Sequence, residues 1–215
     1  MGRPKEPLIE RSEVIAKALE MIDRDGIEAL SIRKLGLELG VNGASLYHHF
    51  RDKDEILDGV RRLVLEKLRV PESKDVAWQD FCLAAAVAFR DALARHPNAA
   101  PLMIWRADRP VGRGVRDFIA GAVQRAGVPA KYVFPIIDSL ESLAFGVAMM
   151  NPEGLRPYDR LGQPDERHPH LSAAVKANRA SVDATFRQQV AALIEGWTAR
   201  IARDQAERTA RKRTV

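Results

Sequence analysis

Between Ser31 and Lys53 the chain gathers residue types suited to recognition rather than to bond making. Gly43, Ala44, Ser45, Tyr47 and His48 are small or hydrogen-bonding, and no Asp or Glu stands among them. A solvated helix face normally carries charges of both signs; this one is shaped to lie against a partner. Lys53 is the second anomaly. It stands in the first turn of a helix opened by Asp52, where the macrodipole favours anions. Either it is a mildly unfavourable surface cation, or it shares a phosphate with the helix N-terminus, the reading favoured here.

Local signals position that face. Ser31 caps a short helix whose apolar Ile32, Leu35 and Leu39 share one side, and Gly40 ends it because only glycine takes the left-handed C′ conformation without steric cost. Val41 plugs the turn. Asn42 caps a second helix in which Leu46 and Phe50, one turn apart, face inward. Two short helices joined by a tight glycine-containing turn form a helix-turn-helix.

The chain of 215 residues has room for a small domain and a larger one, and its 46% hydrophobic but 6% aromatic content suits a buried, mainly helical protein. Cys82 is alone, which excludes an internal disulfide and a thiolate metal cluster. The N-terminus lacks an apolar leader, Glu6 spoils a myristoylation signal, and no run of 18 apolar residues occurs. The expectation is a soluble, cytoplasmic protein with no membrane partner.

Net charge is +5, yet residues 1–69 hold 13 basic and 13 acidic residues, while 200–215 hold six basic and two acidic. The basic surplus belongs to the far end, so overall charge says little about the Ser31–Lys53 face.

Along the chain, Gly2-Arg3-Pro4-Lys5 reads as an arm, either reaching a minor groove or merely solubilising the terminus. Ser12 is expected to cap a first helix with Val14, Ile15, Ala18, Leu19 and Ile22 on one side, ended by Gly26. Asp52 and Glu55 form a capping box for a fourth helix, which buries Ile56, Leu57, Val60, Leu63, Val64 and Leu68. Pro71 to Asp75 reads as a linker. Beyond it, helices are expected over Val76–Arg95, from Pro110 to Gly127 with Val115, Phe118, Ile119, Ala122 and Val123 buried, over Lys131–Met150, and from Ser181 past Arg203. Residues 151–169, with four prolines and two glycines, read as a surface loop. No strand-like alternation occurs. The fold class is all-α: a three-to-four-helix head over 1–69, with its motif at about 31–50, and a larger helical body over 75–215.

Leu39-Gly40-Val41, Ser45-Leu46-Tyr47, His49-Phe50 and Lys53, with Gly26 and Leu30-Ser31-Ile32-Arg33 before them, resemble the DNA-binding motif of the tetracycline-repressor (TetR) family. Trp78-Gln79-Asp80-Phe81 and Arg109-Pro110 are similar, more weakly, to the body of the tetracycline-repressor subgroup. The resemblance implies double-stranded operator DNA as partner. Arg33 would reach DNA from the first helix of the pair, and Gly43, Ala44, Ser45, Tyr47 and His48 would enter the major groove. Tyr47 and Lys53 would hold phosphates, which fix register while base contacts carry sequence. Gly43 departs from relatives that carry a long amide there, so base reading would rest chiefly on Arg33, Ser45 and His48, with Ala44 able to touch a thymine methyl.

The family also implies a homodimer and a small-molecule effector. Leu140, Leu143 and Val147 with Leu193, Ile194 and Trp197 are the expected self-complementary patch. Phe89, Met103, Trp105, Phe134, Ile137, Glu141, Phe145 and Met149 are the expected pocket, although large apolar residues of this kind also build plain core. Asp138 and Glu141 sit on an otherwise apolar helix, to meet either a ligand or an arginine across an interface. Where the subgroup supplies a histidine to its drug's metal, this chain reads Ala99-Ala100-Pro101-Leu102-Met103-Ile104, and an amide position falls at Ala84-Ala85-Ala86. The expected effector is therefore largely apolar and metal-free.

Neighbouring His48 and His49 diverge by about 100° on a helix, and Asp165-Glu166-Arg167-His168-Pro169-His170 lies in a loop without a second cluster in register. No metal, no cofactor and no catalytic residues are assigned: there is no nucleophile constellation and no glycine-rich phosphate loop. The alternative function is a DNA-binding structural or interaction protein of the same fold with no inducer.

Overall fold

A computed structural model describes residues 9–66, 68, 70, 76–103, 111–155 and 166–213. The Gly2–Lys5 arm, the Pro71–Asp75 linker, Trp105, Arg109-Pro110 and Asp165 lie outside the described residues. Among the described residues the secondary structure is helical throughout, in nine α-helices and two short 3-10 turns. They fall into two compact units. The first comprises Met1–Leu68 with Ala92–Val115, the second Arg69–Asp91 with Arg116–Val215.

The first unit holds α1 (Arg11–Asp25), α2 (Ile32–Glu38), α3 (Gly43–Leu46) and α4 (Lys53–Glu66). Helix α1 starts one residue before Ser12, with Glu10 as N-cap and no side-chain cap; Ser12 Oγ instead donates to Glu10 Oε2 at 3.4 Å. The expected Ser12 cap is thus corrected: Glu10 already supplies the carbonyl that opens the helix. Gly26, at φ +83°, closes α1 by donating its N–H to Ile22 O at 2.8 Å. Val14, Leu19 and Ile22 from α1, Leu35 from α2, Leu46 from α3 and Ile56, Val60 and Val64 from α4 make one core. Burial of each such side chain contributes roughly 1.5–3 kcal/mol.

Helices α1 and α4 approach closely at Gly59, where an added Cβ would lie 2.5 Å from Ile15 Cδ1. Asp58 and Arg61 are buried together on α4 at 3.3 Å. Near the end of α1, Asp23 Oδ2 lies 2.7 Å from His96 Nδ1, and Asn98 Nδ2 donates to the Asp23 carbonyl at 2.9 Å. Ala92, Ala99 and Leu102 join the same core.

The second unit is built from most of α5 (Trp78–Arg95), with α6 (Arg113–Arg125), α7 (Ala130–Met150), α8 (Pro169–Ala177) and α9 (Val182–Arg213). Its core joins Phe81, Val123, Val133, Ile136, Leu140, Phe186 and Val190. Arg90 lies 4.7 Å over the Phe186 ring and bonds Asp183 at 2.8 Å. Ser181 caps α9 through Ala184 N–H at 3.1 Å. Farther along, Asp204 accepts from Lys131 Nζ at 2.6 Å and from Tyr132 Oη. Those two donors hold the Asp204 carboxyl down at about 2.

Several sequence expectations are corrected here. Helix α8 falls in a segment to which no helix was assigned, although Pro169 stands at its first turn, where proline is well tolerated. Phe118 is 47% exposed at the edge of the apolar stripe of α6; on α7, Phe134 is 70% exposed and Asp138 is exposed, because a helix that is apolar on several sides does not reveal which side is covered. Helix α7 is long and apolar enough to cross a membrane by length and composition, although Lys131, Asp138 and Glu141 interrupt its apolar residues. One flank of it packs in the core: Ile136 and Leu140 are buried, and Ser139 Oγ accepts from Trp197 Nε1 of α9 at 3.1 Å.

Candidate nucleic-acid interface

The local chemistry of α2, α3 and α4 follows the sequence closely. Ser31 Oγ accepts from Lys34 N–H at 3.2 Å and begins α2. Gly40, at φ +69°, turns the chain, and Val41 N–H donates back to Gly36 O at 2.9 Å. Asn42 Oδ1 accepts from Ala44 N–H at 3.0 Å and begins α3. That helix is only four residues long. It tightens into 3-10 bonds, Tyr47 N–H to Ala44 O at 3.2 Å and His48 N–H to Ser45 O at 3.3 Å. Leu46 and Phe50 are buried beneath it.

The opposite side of α3 stands in solvent. Ala44, Tyr47 and His48 are exposed, Tyr47 at 59%, and Arg33 is exposed on α2. Ser45 and Gly43 are partly buried. Gly43 turns toward α2: a Cβ there would lie 3.4 Å from Ile32 O and 3.5 Å from Arg33 Cα. The nearest acid of α2, Glu38, is drawn to Arg24 at 2.6 Å.

Lys53 opens α4, with Nζ 3.5 Å from Ile27 O, the outer limit of a hydrogen bond, so its ammonium keeps donor capacity. Asp52 Oδ1 caps α4 through Glu55 N–H at 2.7 Å. The return half of the capping box is shifted by one residue, since Glu55 Oε2 accepts from Arg51 N–H at 2.8 Å.

Arg11 and Gly36 were not singled out by sequence, yet together with Glu55 they fix this geometry. Arg11 donates to the His49 carbonyl and to Glu55 Oε1 at 2.7 Å, and its guanidinium lies 4.3 Å over the Phe50 ring. It thereby ties the start of α1 to the turn leaving α3. The Arg51 N–H and the Arg11 guanidinium hold the Glu55 carboxyl down at about 2. The capping pattern pointed to Glu55; only tertiary structure reveals Arg11. The edge they support presents one guanidinium, one phenol, one imidazole and one ammonium, with no acid on α3, which suits phosphates and the major groove.

Of the expected pocket residues, Phe89 and Ile137 belong to the core of the second unit, and Met103 packs in the first unit. Phe134 is on the surface, and Phe145 and Met149 are half-buried. Glu141 is held by Arg116 of the same chain, Nε and Nη2 donating at 2.7–3.0 Å, which answers the question of its partner. Of the expected dimer patch, Leu140 and Ile194 are buried in the protomer's own core. Trp197 is half-buried against Tyr132 with ring centroids 6.4 Å apart. Leu143, Val147 and Leu193 are half-buried at the margin of that core.

Comparison with known proteins bears on this geometry. The family described as bacterial regulatory proteins, tetR family, matches residues 14–60. An HTH-type transcriptional regulator of Saccharopolyspora erythraea is 34% identical over 122 residues, 56% of this chain and 52% of the relative; the chain thus matches about half of that protein's length. The tetracycline repressor class A from transposon 1721 of Escherichia coli is 27% identical over 195 residues, 87% of this chain and 90% of the relative. BioQ, solved with its natural double-stranded DNA operator, superposes with a TM-score of 0.59 at 26% identity, covering 79% of this chain and 99% of BioQ.

Proposed function

The chain belongs to the TetR family of transcriptional regulators, and from that premise we propose that it is a ligand-responsive repressor. It acts in the cytoplasm as a homodimer on double-stranded operator DNA. The observation that carries this reading is the exposed, acid-free edge of Ala44, Tyr47 and His48 beside Arg33, with Lys53 at the start of α4. Arg33, Ser45 and His48 supply base contacts, with Ala44 beside them, while Tyr47 and Lys53 hold phosphates. A dimer sets two such edges in successive major grooves, with half-sites related by a two-fold axis.

The effector binds the second unit and favours a state in which the two heads no longer match the operator. Couplings of this kind are typically worth 1–3 kcal/mol. A largely apolar, metal-free molecule fits best, because Ala84–Ala86 and Ala99–Met103 offer neither histidine nor amide. The relatives are regulators, and the chemistry assigned to this chain is binding alone.

The test is displacement. Compounds that raise the thermal unfolding midpoint are titrated into the protein–operator complex, and release of DNA is the expected result. A protein that holds its operator regardless of every compound that binds it would favour the alternative, a DNA-binding structural or interaction protein with no inducer.

A further inference from the structure

We propose that Leu37 reads a thymine methyl group in the operator, an inference that rests on the operator-binding reading above. In the first unit, Leu37 and Tyr47 are the large apolar side chains standing in solvent among the described residues, Leu37 at 69%. A lone exposed leucine is ordinary on a protein surface. Its position is what distinguishes this one.

At about 100° per residue, Arg33 and Leu37 lie one turn apart on the same flank of α2, next to Gly36. Gly36 faces α3: a Cβ on it would lie 2.9 Å from Gly43 Cα. Arg33, whose Cα lies 3.5 Å from a Cβ built on Gly43, thus borders α3, and Leu37 stands beside it, turned about 100° from Gly36 toward solvent, while Leu35 turns into the core. Glu38 lies on the far flank, held by Arg24 at 2.6 Å.

The close approach of two glycines also decides which helix can read bases at this corner. Gly43, at the leading position of α3, has no side chain to offer, and α2 comes near enough for its own edge to take part. A leucine cannot bond a phosphate or a base edge. The apolar feature of the major groove is the thymine C5-methyl, and that is what an isobutyl group on this flank meets.

The experiment uses the full chain and the duplex that the wild type enriches from a random pool. Each thymine of the half-site is replaced in turn by deoxyuridine, which removes only the methyl. The wild type is expected to lose roughly four-fold in affinity at one thymine per half-site. Leu37→Ala should show a comparable loss on the thymine duplex and no further loss at that position, whereas Arg33→Ala should retain the deoxyuridine penalty. A Leu37→Ala protein that keeps every deoxyuridine penalty overturns the inference and leaves operator binding intact. Failure of the wild type to enrich any duplex overturns the operator reading itself, and the inference with it. Because Leu37 stands in solvent, an unchanged unfolding midpoint verifies that the variant is folded.

Discussion

A Cβ placed on Gly36 would stand 2.9 Å from both Cα and N of Gly43 and 3.1 Å from Val41 O, so α2 and α3 meet backbone to backbone. The converse contact is looser, with a Cβ on Gly43 reaching Ile32 O at 3.4 Å, ordinary van der Waals separation. The two glycines are therefore unequal. Gly36→Val drives a branched side chain into main chain that cannot rotate away, and overpacking of this kind typically costs about 1–3 kcal/mol. Urea unfolding should show that loss, with weaker operator binding, while Gly43→Ala should stay near wild type in stability. Equal tolerance of both substitutions would contradict the backbone contact.

Tyr47 and Lys53 are assigned phosphates, not bases. Tyr47→Ala and Lys53→Ala should each weaken operator binding, with circular dichroism and the unfolding midpoint nearly unchanged. For Lys53→Ala the slope of log affinity against log salt should fall by about one. Retained affinity in a gel-shift titration would remove these residues from the interface.

The acid side of the stability profile of the first unit should carry the mark of Glu55. Its carboxyl sits at about 2 when folded, against an ordinary 4.5. The unfolded chain therefore takes up a proton that the folded chain refuses. The contribution is fully present above the ordinary carboxylate range and is lost as pH falls toward 2. Glu55→Gln should flatten that part of the midpoint-versus-pH curve, and Arg11→Met should do so in part, since the Arg51 N–H remains. An unaltered curve in Glu55→Gln would show that these bonds do not form in solution.

Leu143, Val147, Leu193 and Trp197 are the members of the expected dimer patch left at the margin of the protomer's core. Leu193→Glu should shift sedimentation equilibrium toward monomer and reduce binding to a two-half-site duplex far more than to an isolated half-site. A variant that remains dimeric would move the interface elsewhere.

What could be read from sequence was governed by the range of the interactions. Ser31, Gly40, Asn42 and Asp52 act on residues within four positions of themselves, and each stands where the residue pattern places it. Arg11, which reaches His49 and Glu55, and Gly36, which meets Gly43 through space, carry no periodic or capping signature. In the second unit the difficulty was different. Phe134 and Asp138 lie on α7, which has apolar residues on several sides, so composition could not tell covered flank from bare one, and Phe118 sits at the edge of the apolar stripe of α6. Glu141 looked costly in isolation; Arg116, 25 positions earlier, supplies its partner.

The central claim, that the α2–α3 edge reads operator DNA as part of a two-fold dimer, is tested most directly by selecting duplexes from a random pool with the full chain and footprinting the winners. The account predicts an enriched duplex with two half-sites related by dyad symmetry, protected on both, with protection lost in Tyr47→Ala. Enrichment of no sequence, or of a single unrepeated site that Tyr47→Ala protects equally well, would contradict it.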